Sequence, residues 1–270
     1  MSEFRSSIER DRREEMEAEL SMVDGYDPGA YGREIANEYD DLYRAIPDTE
    51  ESVDRLCALA DQGAVLEMGI GTGRLALPLQ ARGLQVAGIE GSAEMVKVLR
   101  SKPGGDQLQI AVGDFADTRL PGTYSLVVLA LHTIFGLPTP ERQVVCFANA
   151  AAHLVPGGHF VLEARVVHPS DFVDGQAVQS RFSGDDHVEL QVQRYEPVSQ
   201  QMHVSNVHLA DGRPVRINSF VNQYTSPREF DLMARMAGMR LVDRWEDWRG
   251  SAFTAHSRRH ISVYQTGVAA

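Results

Sequence analysis

Val65-Leu66-Glu67-Met68-Gly69-Ile70-Gly71-Thr72-Gly73 is the stretch that decides the fold. A short apolar run meets an acid and opens into three glycines at alternate positions. A strand that turns into a helix through such a loop lets backbone approach a ligand where a side chain would block it. It also presents helix N-terminal amides. Alone, the loop says only that a nucleotide-like ligand meets a helix N-terminus. The dinucleotide fingerprint G-x-G-x-x-G needs its last glycine three residues beyond the second. Here Gly73 follows Gly71 by two, and Arg74 stands where that glycine would be. An NAD(P)-dependent oxidoreductase is the alternative enzyme reading. It is disfavoured by this spacing and by the lack of a Tyr-x-x-x-Lys pair after the fourth strand.

Outward from the loop the alternation is regular. Strands are expected at 64–68, 85–90, 108–112, 124–131 and 159–167, with helices running to about 81, over 92–101 and over 140–154. Strands separated by helices imply parallel βαβ units, an α/β fold with a doubly wound sheet and helices on both faces. The period then changes to two at 187–195, 201–210 and 215–223, around polar turns such as Asp211-Gly212, which reads as an antiparallel meander. Ser226-Pro227-Arg228-Glu229 resumes the helical pattern with a cap and a proline in the first turn, and Ala237-Gly238 stops it. Two last strands are expected at 239–248 and 259–266, making seven in the main sheet.

Upstream, residues 6–21 read as a charged helix with few apolar positions, either a solvated arm or one that packs on a partner subunit in a homo-oligomer. Helices follow at 30–46 and 50–61. The expected division is an N-terminal helical arm (1–25), a core (26–168 and 223–270) and an antiparallel lid insertion (169–222).

Glu67-Met68-Gly69-Ile70-Gly71-Thr72-Gly73 resembles the E/D-x-G-x-G-x-G motif of class I S-adenosylmethionine-dependent methyltransferases, and further landmarks follow. Glu90, at the end of the second strand, resembles the acid that accepts hydrogen bonds from ribose hydroxyls. Gly91 and Ser92 open the next helix, with Met95 placed to cover the adenine. Gly113-Asp114-Phe115 resembles the segment that contacts the adenine amine, and Leu131 ends the fourth strand where the substrate-facing motif begins. Leu154-Val155-Pro156-Gly157-Gly158 looks like the L-x-P-G-G turn before strand five. Ala36-Asn37-Glu38-Tyr39-Asp40-Asp41-Leu42-Tyr43 resembles the N-terminal helix of small-molecule members. That places Tyr39, with Tyr31 on the same helix, at the methionine end of the cofactor. The resemblance covers roughly 30–168 and 223–270, is weakest in the insertion and is absent in the first 25 residues. It implies a Rossmann-like methyltransferase fold, S-adenosylmethionine as cofactor with S-adenosylhomocysteine as product, and a small-molecule acceptor, in natural-product or sugar metabolism, methylated on N, O or C. A methyltransferase-like fold kept as a non-catalytic binding module is the third possibility. Intact Glu67, Gly69, Gly71, Glu90 and Asp114 argue against it.

Displacement at a sulfonium asks the protein mainly for alignment and a dry pocket. An amine need only be neutral, whereas a phenol or alcohol usually needs a base. The histidines are sorted by that need. His132 follows the fourth strand and His168 the fifth, both at the carboxyl edge that faces the ligand crevice, so these two are the candidate catalytic residues. His153 and His159 flank the opposite edge. Arg165, Arg181, Tyr224 and Trp248 are either pocket-lining or structural.

With 38 acidic against 26 basic side chains, the net charge is −12, spread along the chain. That disfavours a nucleic-acid binder, which needs clustered cations, although a local pocket can be basic inside an acidic protein. Cys57 and Cys146 are expected as buried, reduced thiols, and no Cys/His spacing suggests a metal. No apolar run reaches the ~18 residues of a membrane span. The charged N-terminus lacks a secretory pattern, and the expected setting is cytoplasmic.

Overall fold

Alternation of buried and linking segments builds a seven-stranded sheet. The computed structural model describes residues 25–42, 48–184 and 186–267; the expected helix at 6–21 lies outside them. The strands of this sheet are β1 (Val65–Met68), β2 (Val86–Glu90), β3 (Gln109–Val112), β4 (Tyr124–Leu129), β5 (Leu154–Arg165), β10 (Met239–Trp245) and β11 (Arg259–Thr266). Their order is β10-β11-β5-β4-β1-β2-β3. The pairs from β3 to β5 are parallel, and β11 runs antiparallel to both β5 and β10. Every residue of β1 and β2 is buried, as expected for central strands covered on both faces.

One face carries α3 (Thr49–Ala60), α4 (Ala76–Ala81) and α5 (Ala93–Arg100), whose Leu56, Leu79 and Leu99 pack with Val128, Val161 and Trp248. The other face carries α6 (Pro140–His153) and α7 (Pro227–Met236), where Phe147 and Phe230 stack 5.7 Å apart over Phe160 and Tyr264. The cap at Ser226 forms a full capping box with Glu229. Cys146 is buried and Cys57 partly so, both as free thiols. Trp248 belongs to the core beneath α3, which decides for the structural alternative.

A second, four-stranded antiparallel sheet rises between β5 and α7. It comprises β6 (Gln176–Ser183), β7 (His187–Glu196), β8 (Gln201–Ala210) and β9 (Arg216–Gln223). Three of these strands follow the expected meander. β6 was not expected: seven of its eight residues are exposed, so it lacks the alternation by which a half-buried strand is recognised.

Other boundaries moved as well, among them the strand expected at 239–248, which ends at Trp245, and the one expected to reach 167, which ends at Arg165. The expected helix at 30–46 is divided into α1 (Ala30–Ile35) and α2 (Tyr39–Leu42). β5 begins at Leu154 rather than 159, because Leu154 already pairs with Tyr124, and the register then shifts so that His159 pairs with Leu126. β4 ends two residues early, at a left-handed turn described below. No helix among the described residues is long and apolar enough to cross a membrane.

Candidate active site

The β1–α4 loop is a cradle of backbone. Gly69, Gly71 and Gly73 all have positive φ (68°, 54° and 87°), the region that favours glycine. At Gly71 an added Cβ would meet nothing within 4 Å, so this turn borders open space. Glu90 holds the turn from β2: its carboxylate accepts from the Gly71 amide at 2.8 Å and from the Ser92 amide at 2.9 Å. Burial raises its pKa, while those amide bonds and one from Gly91 pull it back. Ser92 caps α5 by accepting from the Met95 amide.

A small, open cleft lies beside the cradle, lined by Tyr39, Glu67, Gly69, Thr72, Arg74 and Leu131 among others. Glu67 is 5% exposed, and its Oε2 has no hydrogen-bond partner. Burial pushes its carboxyl up to about 8, against the opposing pull of Arg74 and the Ala76 amide and with a further push from Glu90. A buried acid with a free oxygen, beside a turn bordering open space and with a second carboxylate 23 residues on at the end of β2, fits S-adenosylmethionine.

The N-terminal segment closes one side of the cleft. Gly91 allows this by lacking a side chain: a Cβ there would sit 2.3 Å from the Pro28 carbonyl oxygen. Met95 packs with Ile35 and Ala36 of this segment, which leaves its side chain inside a small apolar cluster. From α2, Asp40 accepts from the Thr72 hydroxyl at 2.6 Å and pairs with Lys102 at 2.6 Å, and Lys102 also donates to the Thr72 carbonyl. The break between α1 and α2 allows this reach from Asp40 into the glycine loop. Tyr39 lines the cleft, whereas Tyr31 is turned toward the second sheet, its ring 6.1 Å from Phe220 at 72°.

Asp114 has protein partners on both oxygens. It pairs with Arg142, which also reaches Asp117 at 2.8 Å, and it accepts from the Ala116 amide at 2.8 Å. Tyr26 lies close enough to Asp114 that burial and this carboxylate raise its phenol well above the ordinary range. Gly113 and Phe115 flank this pair, with Phe115 in the core. The segment expected at the adenine is thus a buried ionic knot, and sequence reasoning did not pair Asp114 with Arg142.

At the end of β4, Leu131 and His132 are both left-handed (φ 51° and 63°), a conformation that costs non-glycine residues about 1–3 kcal/mol each. Glu163 on β5 over-determines it. Its side chain accepts from the Leu131 amide and its carbonyl from the His132 amide, each at 3.1 Å. Glu163 is itself clamped by Arg259 at 3.1 Å, and Arg259 by Asp48 at 2.7 Å. This clamp was also missed, although an acid inside the apolar run Val161-Leu162-Glu163-Ala164 was its signal. His132 is lowered to about 4 by burial and by the charges of Arg165, Arg259 and Arg181, and its Nδ1 is buried without a partner. His168 lies apart, its Nε2 3.0 Å from the Ser257 carbonyl. His260, not singled out from sequence, is fully buried and lowered to about 3, with Nδ1 on the Ser262 hydroxyl. His153 accepts from the Leu120 amide at the far edge, a packing role. Tyr224 abuts Phe135 and Tyr195 beneath the second sheet. Among the described residues, no group of three or more His, Cys, Asp or Glu could hold a metal.

This fold and cleft define a nucleotide-cofactor transferase of the doubly wound class, and known proteins agree. A family described as "Methyltransferase domain" matches residues 65–158. The CcbJ methyltransferase from Streptomyces caelestis superposes with a TM-score of 0.81 at 33% identity, over 90% of this chain and 100% of that one. The cypemycin N-terminal methyltransferase of a Streptomyces species is 27% identical over 210 residues, 76% of this chain and 84% of its own length. CalS10 of Micromonospora echinaspora, an amino pentose methyltransferase with S-adenosylmethionine bound, shares the fold (TM-score 0.65, 24% identity, 84% of this chain and 95% of that one). The chain belongs to the S-adenosylmethionine-dependent methyltransferases. It is an enzyme, and none of these relatives is an oxidoreductase.

Proposed function

We propose that the chain methylates the amine of a small, non-nucleic-acid acceptor in secondary metabolism. S-Adenosylmethionine, when bound, supplies an electrophilic methyl group open to direct displacement. Glu67 holds the ammonium end, Glu90 and the Gly69–Gly73 backbone hold the ribose side, and Tyr39 and Leu131 flank the methionine portion. Residues 169–222 act as the lid over the core.

The observation that favours nitrogen is His132. A histidine lowered to about 4 is neutral at working pH. It is far too weak a base to strip a phenol or alcohol, whose protons leave near pH 10 or above. It can still accept a hydrogen bond from an amine N–H and point the lone pair at the methyl group. The cypemycin relative, named as an N-terminal methyltransferase, supports the same choice. His168 serves as a strut for the 254–257 turn rather than as a base. A panel of amines, phenols and activated carbons assayed with radiolabelled S-adenosylmethionine tests this. Label is expected in amines, and label confined to phenols or carbon acids overturns it.

Glu67 makes the binding pH-dependent. Its carboxyl, raised to about 8, carries a proton in the free protein at pH 7. A cation placed against it favours the ionised form, so binding expels that proton. Affinity for S-adenosylhomocysteine, which keeps the ammonium, therefore rises with pH by up to about tenfold per unit below 8 and then levels off. Calorimetry in buffers of different ionisation enthalpy should register the released proton, and Glu67→Gln should flatten the profile. A pH-independent affinity in the unmodified protein would place the ammonium elsewhere.

A further inference from the structure

Several buried or partly buried arginines border the core and the crevice, and three of them are paired with acids. Arg142 pairs with Asp114 and Asp117, Arg244 with Asp231, and Arg259 with Asp48 and Glu163. Arg74 has no ion pair but donates to the Thr49 hydroxyl at 3.2 Å. Arg165 closes β5 at the crevice edge, and among the described residues its guanidinium has neither an ion pair nor a hydrogen bond. Desolvation and the nearby charge of Arg181 lower it, with Asp171 opposing. Asp171, however, is already held by Arg258, both carboxylate oxygens 2.6 Å from one guanidinium nitrogen.

Arg181 comes from the lid. The β6–β7 register shifts between Ser180 and Phe182, which makes Arg181 the extra residue of a bulge. Bulges re-aim a side chain beside functional sites. Its only partner among the described residues is neutral, the Gln191 side-chain carbonyl at 2.6 Å. Gln191 and Gln193 lie nearly buried on β7, and Gln193 Oε1 has no partner. The two arginines act on each other and both act on His132, whose buried Nδ1 is also without a partner. Arg181 reaches the buried side of β7 through Gln191. Tyr195 of that side packs on Tyr224, which receives the Val167 amide just beyond β5. The lid thus turns one cation toward the β5 end that carries the other, in a protein of net charge −12. An unpaired, partly buried cation is costly, and planar guanidinium forks match carboxylate and phosphate oxygens.

We propose that the acceptor carries an anionic carboxylate or phosphate group, which Arg165 and Arg181 grip together between the end of β5 and the lid, next to His132. This rests on the proposed acceptor side of the crevice. It adds that the acceptor is an acidic amine and that binding it ties the lid to the core. Tyr224, Tyr195 and Phe135 supply an aromatic wall nearby.

The test uses the full chain, with and without saturating S-adenosylhomocysteine, titrated calorimetrically with benzoate and with inorganic phosphate. Saturable heat is expected from at least one anion, and which one identifies carboxylate or phosphate as the group recognised. Arg165→Ala and Arg181→Ala should each weaken that binding by about tenfold or more, as expected for a charge-assisted bidentate contact. Affinity for S-adenosylhomocysteine should stay unchanged in both. Arg181 is exposed on its strand, so its loss leaves the fold intact, and Arg165→Lys keeps the charge should Arg165→Ala unfold. Absence of saturable heat from both anions up to tens of millimolar, or undiminished binding in both alanine variants, overturns the proposal. Arginine-dependent anion binding in a protein that ignores S-adenosylhomocysteine would sink the cofactor site and leave the anion site standing.

Discussion

Glu90→Ala is expected to weaken S-adenosylhomocysteine binding by roughly 10- to 150-fold, about 1.5–3 kcal/mol, the range for hydrogen bonds to a charged group. The carboxylate is 9% exposed and occupies the hinge of the site. It accepts from Gly71 at 2.8 Å and from Ser92 at 2.9 Å, so it fixes both the glycine turn and the start of α5. With the Gly91 amide as a third donor, one acceptor site of the carboxylate is left for a ribose hydroxyl. Alanine removes those acceptors and frees the turn from its shape. Glu90→Gln keeps one oxygen and should lose less. Titration calorimetry beside a circular dichroism spectrum separates lost affinity from lost fold, and an unchanged affinity in a folded Glu90→Ala protein would mean that the ribose lies elsewhere.

The largest effect on stability is expected at Glu163. This carboxylate is 1% exposed, pairs with Arg259 and receives the Leu131 amide. Glu163→Ala leaves the Leu131 amide without its acceptor and Arg259 with Asp48 as its remaining acid, which costs about 3 kcal/mol, the low end of the range for breaking a buried pair from one side. For a chain of this size that lowers the thermal midpoint by on the order of 10 °C. The left-handed Leu131-His132 turn also loses its clamp, so methyl transfer should fall further than folding alone explains. Glu163→Gln keeps an acceptor for the Leu131 amide and should recover part of both losses. Urea and thermal melts read the effect, and a change below about 1 kcal/mol would show that the clamp is dispensable.

The parts legible in the sequence were those governed by local rules. The apolar runs of β1 and β2, the glycine spacing at Gly69, Gly71 and Gly73, the Ser226 cap and the alternation of β7 to β9 each express a backbone requirement within a few residues. What escaped was non-local or unpatterned. β6 has no buried face to impose a period. The Asp114–Arg142 pair spans 28 residues, Glu163–Arg259 spans 96, and Thr72–Asp40 spans 32. No spacing rule connects charges that meet only when the sheet is assembled. The left-handed Leu131 and His132 were hidden for a related reason: neither residue type announces that conformation, which exists because Glu163 holds it. Arg165 and Arg181 were visible only as candidates, since their lack of a counter-charge is a property of three dimensions.

The central claim is that the cleft of Glu67, the glycine turn and Glu90 holds the methyl donor. Parallel calorimetric titrations of the purified chain with S-adenosylmethionine, S-adenosylhomocysteine and NAD test it most directly. Saturable, one-to-one heat is expected from the first two and none from NAD, and heat from NAD alone would contradict that assignment.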